Sequence, residues 1–170
     1  RPGIYYFNPN ISPIEEYNRR KSESQRHADS LGLRWIDADY DHQQWLQWIK
    51  GLEEEPERGR RCEQCFQCRL LATARMAQQL HIRYFATTLA SSRWKNLEQI
   101  TQAGNRAAQQ VNQATPDNDD NDISEVRFWA QNWRKGGLQQ RRQELIKEYD
   151  FYNQQYCGCE FSRRIQDDKQ

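Results

Sequence analysis

The chain has 170 residues, a formal net charge of +1 and 29% charged residues. Its mean hydropathy is −1.18, and no apolar run approaches the ~20 residues that a membrane span needs, so no membrane partner is expected. No signal-peptide hydrophobic region is present either, while an aromatic content of 12%, with six Trp, argues for a folded core under a polar surface. With charge near balance, any nucleic-acid binding must come from a local patch.

Ile4–Phe7 reads as a short buried strand, ended by the turn residues Asn8-Pro9-Asn10. Ser12 is expected to cap the next helix, with Pro13 in its first turn and Glu15 closing a capping box. That helix should run to about Leu31 and stop at Gly32. Its apolar face, Ile14, Tyr17, Ala28 and Leu31, is thin, so one side is expected to be wet. Leu33–Ile36 is a second strand. Asp41 reads as an N-cap with Gln44 in the reciprocal place, and Trp45, Trp48, Ile49 and Leu52 follow at helical spacing.

A charged loop over 53–61 leads to a third helix, with Leu70, Ala74, Ala77 and Leu80 on one face and the first cysteines at or just before its start. Ile82–Thr87 is a third strand. Ser91 and Ser92 are candidate caps for a helix carrying Leu97, Ile100, Gly104, Ala107 and Val111. After an Asn/Asp/Gln-rich linker over 112–124 come a fourth strand, Val126–Trp129, and a last helix beyond Gly136-Gly137, with Leu138, Arg142, Leu145 and Tyr149 in a stripe. Residues 1–162 are expected to form a single α/β domain and 163–170 a polar tail. Strands alternating with helices imply a parallel sheet covered on both faces, which binds ligands at the carboxyl ends of its strands.

Five cysteines, spaced C-x-x-C-x-x-C at 62, 65 and 68 and C-x-C at 157 and 159, are not the layout of a secreted disulfide framework. They fit a reduced compartment in which thiolates bind metal or do redox work. Cys62 and Cys65 at a helix start can reach one metal, and the helix terminus favours their negative charge. Cys68 is expected to be structural. Cys157 and Cys159 can flank a metal or close a strained, easily reduced ring. A structural zinc site with four cysteine ligands is the alternative that spacing leaves open.

His27, His42 and His81 read as surface or helix-end histidines. Asp117–Asp122 resembles a calcium loop but lacks its glycine and final acidic residue, and is read as solvated. Trp94 and Trp133 follow strands and could stack a base. The basic residues Arg93, Lys95, Arg134, Lys135, Arg141 and Arg142 would form a phosphate-binding stripe if they converge.

The segments YYFNPNISPIEEY, IDADYD, KGLEEEPERGRRCEQC, FATTLASSRWKN and YCGCEFS carry a resemblance over nearly the whole chain. They resemble the non-cobalamin epoxyqueuosine reductases, the QueH family. The resemblance implies reduction of epoxyqueuosine to queuosine at the tRNA wobble position. It implies a doubly wound parallel sheet, similar to the adenine-nucleotide hydrolase and PP-loop group, in the cytoplasm. It also implies a 4Fe–4S cluster, with room for an additional mononuclear iron, and a tRNA and an electron donor as partners. By matching motif, Cys62 and Cys65 are implied as cluster ligands, and Cys157 and Cys159 as a redox-active pair or as iron ligands. Lys95, Arg134 and Lys135 are candidates for tRNA phosphates, and Asn8 and Asn10 for lining the base pocket. The rivals are a zinc-stabilised RNA-binding module without catalysis and an ATP-using tRNA thiolase, whose S-G-G-x-D-S-like loop does not occur in these residues.

Two departures qualify the resemblance. The family begins with a strand and a loop bearing two adjacent cysteines, whereas this sequence starts after them, at Arg1. On that basis the sheet is expected to lack its N-terminal strand, leaving a gap flanked by the first and third strands seen here. The chain alone is then expected to assemble an incomplete cluster and to be poorly stable. Gln131-Asn132-Trp133 stands where many relatives carry Ser-Asp-Phe; as a turn cap, Asn serves as well as Asp.

Overall fold

The computed structural model describes residues 1–114 and 125–162. The Asp117–Asp122 run and the tail over 163–170 therefore lie outside the described residues. The chain divides into two compact units, one of Arg1–Glu57 with Arg141–Gln170 and the other of Arg58–Gln140.

In the first unit, β1 (Ile4–Tyr6) pairs in parallel with β2 (Trp35–Asp37), Ile4 opposite Trp35 and Tyr6 opposite Asp37. The crossover between them is α1 (Ile14–Ser30), and α2 (His42–Trp48) follows β2. The core here is aromatic. Tyr6, Ile11 and Tyr17 are buried, with Trp35 and Tyr40 packed against them, and the Tyr17 and Tyr40 rings lie 4.1 Å apart. Asp41 caps α2 as its spacing implied, its side chain accepting from the Gln44 amide at 2.8 Å. Trp45 and Ile49 are the face that α2 and its cap bury.

One expectation about α1 is corrected. Its N-cap is Pro13, without a side-chain cap, because Ser12 is engaged elsewhere: its amide donates to the Gly158 carbonyl and its carbonyl accepts from the Tyr156 hydroxyl. One side of α1 is exposed as expected, from Glu15 and Asn18 to Arg26 and Asp29, and part of its polar surface meets the C-terminal segment. Arg26 donates to the Tyr149 carbonyl, and Tyr152 donates to Glu16. Arg19 stands 3.6 Å over the Tyr152 ring, and His27 meets Tyr149 and Phe151 edge-on. The polar residues of α1 bind the C-terminal segment, so a thin apolar stripe suffices.

In the second unit, α3 (Arg60–Gln79) and α4 (Leu97–Gln113) pack along each other, and β3 (Tyr84–Phe85) pairs in parallel with β4 (Arg127–Phe128). Phe66, Leu70, Ala74, Phe85, Ile100 and Ala107 are part of its core. Small residues on α4 allow close approach. A Cβ on Gly104 would sit 2.3 Å from Phe128 Cδ1, so the glycine is required by packing rather than by its dihedral. Gly104→Ala is expected to lower stability by about 1–3 kcal/mol through overpacking, despite the helix propensity it gains; thermal unfolding measures it, and an unchanged midpoint would mean that the Phe128 ring moves freely.

Ser91 and Ser92 do not cap α4. The chain first makes a 3-10 turn over Thr88–Ser91, capped by Thr87, and Asn96 then caps α4 by accepting from the Glu98 and Gln99 amides. The final helix, α5 (Leu138–Glu148), begins after Gly137 as expected but buries none of its residues. The fold is thus mixed α/β with short parallel strands. Among the described residues these form two separate pairs, β1–β2 and β3–β4, instead of one ladder.

Candidate functional site

In the first unit, the loop after β1 and the Cys157-Gly158-Cys159 turn are built into each other. The loop offers its carbonyls in series: Ile11 accepts from the Tyr40 hydroxyl at 2.7 Å and Ser12 from the Tyr156 hydroxyl at 2.6 Å. The Ser12 amide returns a bond to the Gly158 carbonyl at 2.8 Å. Arg20, on α1, donates to the carbonyls of Tyr156 at 3.0 Å and Cys157 at 3.3 Å, and is itself steadied by Glu16. Gly158 has φ +99°, and a Cβ there would lie 2.7 Å from Ile11 Cγ1. Only glycine fits this position.

None of the five cysteines is joined in a disulfide. Cys157 is partly exposed, with its Sγ 3.6 Å from the Ser162 hydroxyl, while Cys159 is buried. One thiol therefore meets solvent while its neighbour is enclosed, on a backbone fixed from three directions. Asn10 is 2% exposed, and its Oδ1 has no hydrogen-bond partner within the described residues. It is an enclosed acceptor beside the turn, whereas Asn8 is partly exposed and closes the loop by accepting from the Ile11 amide.

In the second unit, Cys62 lies in the first turn of α3. The Arg58 amide donates to its Sγ at 3.3 Å, and its own amide bonds to the Gly59 carbonyl. The sulfur thus accepts from a backbone amide just ahead of α3, at the helix end that favours negative charge. Arg58 also donates through its guanidinium to the Trp94 and Arg93 carbonyls, and Gln99 bonds Glu63 and the Arg58 carbonyl. The segment after β3 is thereby fastened to the cysteine end of α3. Arg134 joins the same place, donating to the Ala90 carbonyl at 3.0 Å and the Lys95 carbonyl at 2.9 Å. Burial, and then Arg58 nearby, lower its pKa.

Lys95 stands 5.6 Å over the Phe66 ring, and Lys135 is exposed. Trp94 is 67% exposed, with Arg93 4.8 Å over its ring, whereas Trp133 donates to the Thr87 carbonyl. Arg141 pairs with Glu144 and Glu148 on its own helix. Asn132 caps its turn by accepting from the Arg134 amide.

Cys65 follows Cys62 at helical spacing and is buried. Cys68 is buried too, and burial, followed by Cys65, pushes its thiol up to about 12. Burial thus favours the protonated Cys68 thiol, while Cys62 and Cys65 stand at helical spacing near the start of α3. No group of three or more His, Cys, Asp or Glu that could hold a metal occurs among the described residues. Arg58 and Arg20 are members of these clusters that sequence reasoning missed, because their partners are backbone carbonyls.

Residues 1–165 match the family described as "Epoxyqueuosine reductase QueH". A protein of that name from Histophilus somni is 44% identical over 161 residues, 95% of this chain and 61% of its own length. One from Haemophilus influenzae matches at the same identity and coverage, and one from Thermotoga maritima is 32% identical over 94% of the chain and 78% of its own length. The chain thus spans about three fifths of the length of the first two relatives.

Proposed function

The chain belongs to the epoxyqueuosine reductase QueH family, and on that premise we propose that it works as an epoxyqueuosine reductase on tRNA, in the cytoplasm. The observation that carries the reading is the Cys157-Gly158-Cys159 turn, clasped to the loop after β1 with one thiol open and one enclosed. A doubly wound parallel sheet remains the fold we propose for the domain.

The net reaction adds two electrons and two protons to the epoxide, breaks both carbon–oxygen bonds, and leaves an alkene and water. A dithiol that becomes a disulfide releases two electrons and two protons, so Cys157 and Cys159 match this stoichiometry. Arg20 and Ser12 hold the backbone of the pair, so that the thiols exchange electrons and protons without moving their carbonyls. Cys62 and Cys65 would hold an iron–sulfur cluster, which when bound supplies electrons singly. Asn10 offers its Oδ1 as an acceptor to the bound base. Lys95 and Lys135 offer charge to the anticodon-loop phosphates. Arg134, with Nε and one Nη engaged, shapes the segment that presents Lys95.

Metal analysis of anaerobically purified protein tests the reading. Iron with acid-labile sulfide is expected, and both should fall in Cys62→Ser and Cys65→Ser. Stoichiometric zinc without sulfide would favour a zinc-stabilised RNA-binding module instead.

A further inference from the structure

His42 belongs to none of the motifs that carry the family resemblance. Its Nδ1 lies 2.6 Å from the Pro9 carbonyl oxygen and its Nε2 lies 2.9 Å from Glu160 Oε1. A carbonyl only accepts, and so does a carboxylate, so the imidazole is the donor wherever it bonds either one. The ring is stacked with Tyr40 at 6.0 Å and with Trp45 at 5.3 Å, and its side chain is 15% exposed. Its two partners come from the two segments that make the thiol site. Pro9 is in the loop after β1, and Glu160 directly follows Cys159.

We propose that His42 is a positioning residue for the thiol pair, pinning the C-terminal side of the Cys157-Gly158-Cys159 turn to the loop after β1 through Glu160. The other side of the turn has its own ties, from Arg20 to the Tyr156 and Cys157 carbonyls and from Tyr156 to Ser12. Those ties end at Gly158, bonded by the Ser12 amide. Beyond it the His42–Glu160 contact, beside the Trp45–Phe161 ring contact, ties the segment that follows Cys159. The stacked rings set the angle of the imidazole, so that it reaches Pro9 and Glu160 at once. This inference rests on the proposed role of the pair only for its consequence in turnover; the geometry stands by itself.

The test is iodoacetamide labelling of the folded protein at about pH 8, followed cysteine by cysteine by peptide mass spectrometry. Cys68, protonated at that pH and buried, reports unfolding. His42→Phe keeps a flat ring beside Tyr40 and Trp45 but makes neither hydrogen bond, and should speed Cys159 labelling by about tenfold or more. Glu160→Leu should do the same. Glu160→Gln keeps an accepting oxygen and should stay within about twofold of the parent rate. Unchanged Cys159 labelling in both His42→Phe and Glu160→Leu would overturn the proposal, as would Glu160→Gln labelling as fast as Glu160→Leu. If rapid Cys68 labelling marks His42→Phe as unfolded, the partly exposed Glu160 variants decide. Labelling does not depend on whether the protein reduces epoxyqueuosine, so the two readings fail separately.

Discussion

Serine in place of Cys157 or Cys159 is expected to lower epoxyqueuosine turnover by about a thousandfold or more, while the thermal midpoint moves by no more than about 4 °C. The dissociation follows from how the turn is held. Its fixed points are the carbonyls of Tyr156, Cys157 and Gly158, bound by Arg20 and the Ser12 amide. Neither sulfur takes part in those bonds. The Cys157 thiol meets the Ser162 hydroxyl at 3.6 Å, a contact that a serine hydroxyl can also make. Redox capacity is therefore separable from these backbone ties, which remain when either thiol is replaced. Near-normal turnover in either variant would remove the pair from the reaction; a collapse of the midpoint in both would make the thiols structural.

Gly158→Val should produce the converse, a loss of architecture with both thiols intact. At φ +99° an L side chain is strained whatever the space around it, and here there is none. Its Cβ would stand 2.7 Å from Ile11 Cγ1, 3.0 Å from Arg20 Nη1 and 3.4 Å from Ile11 Cα. The Arg20 end can withdraw only by giving up its bonds to the turn. Strain and overpacking together should cost about 2–4 kcal/mol, or about 5–15 °C in the midpoint for a chain of this size. Gly32→Ala is the comparison. That position also has a positive φ, +60°, but the nearest atom to an added Cβ is Arg1 Nη1 at 3.6 Å, so strain acts there without a clash. Equal midpoints for the two variants would mean that the loop after β1 yields, and that the turn is not held as described.

The parts of this molecule legible in its sequence are those governed by local rules. Asp41 caps α2 because a short carboxylate three residues before a free amide has one good partner. Gly32 follows the end of α1 in the left-handed region for the same kind of reason. The cysteine spacing marked both candidate clusters, since thiol chemistry needs few residues at fixed offsets. What was not legible depends on segments distant in sequence. Ser12 has the composition of a cap, but the C-terminal turn claims both its amide and its carbonyl. Ser91 and Ser92 look like caps, but Thr87 and Asn96 take the amides. His42 reads as a surface or helix-end histidine, because its partner Glu160 lies more than a hundred residues away. The strands were expected to be longer than they are, because apolar flanks such as Ile82 and Trp129 extend the pattern beyond the ladder and remain exposed.

Nucleoside analysis of tRNA is the most direct measurement of the central claim. Epoxyqueuosine-containing tRNA would be incubated anaerobically with the protein and a chemical reductant, then digested and resolved by mass spectrometry. Queuosine should replace epoxyqueuosine, and the conversion should vanish with Cys157→Ser. Epoxyqueuosine left intact by protein that carries its iron and sulfide would contradict it.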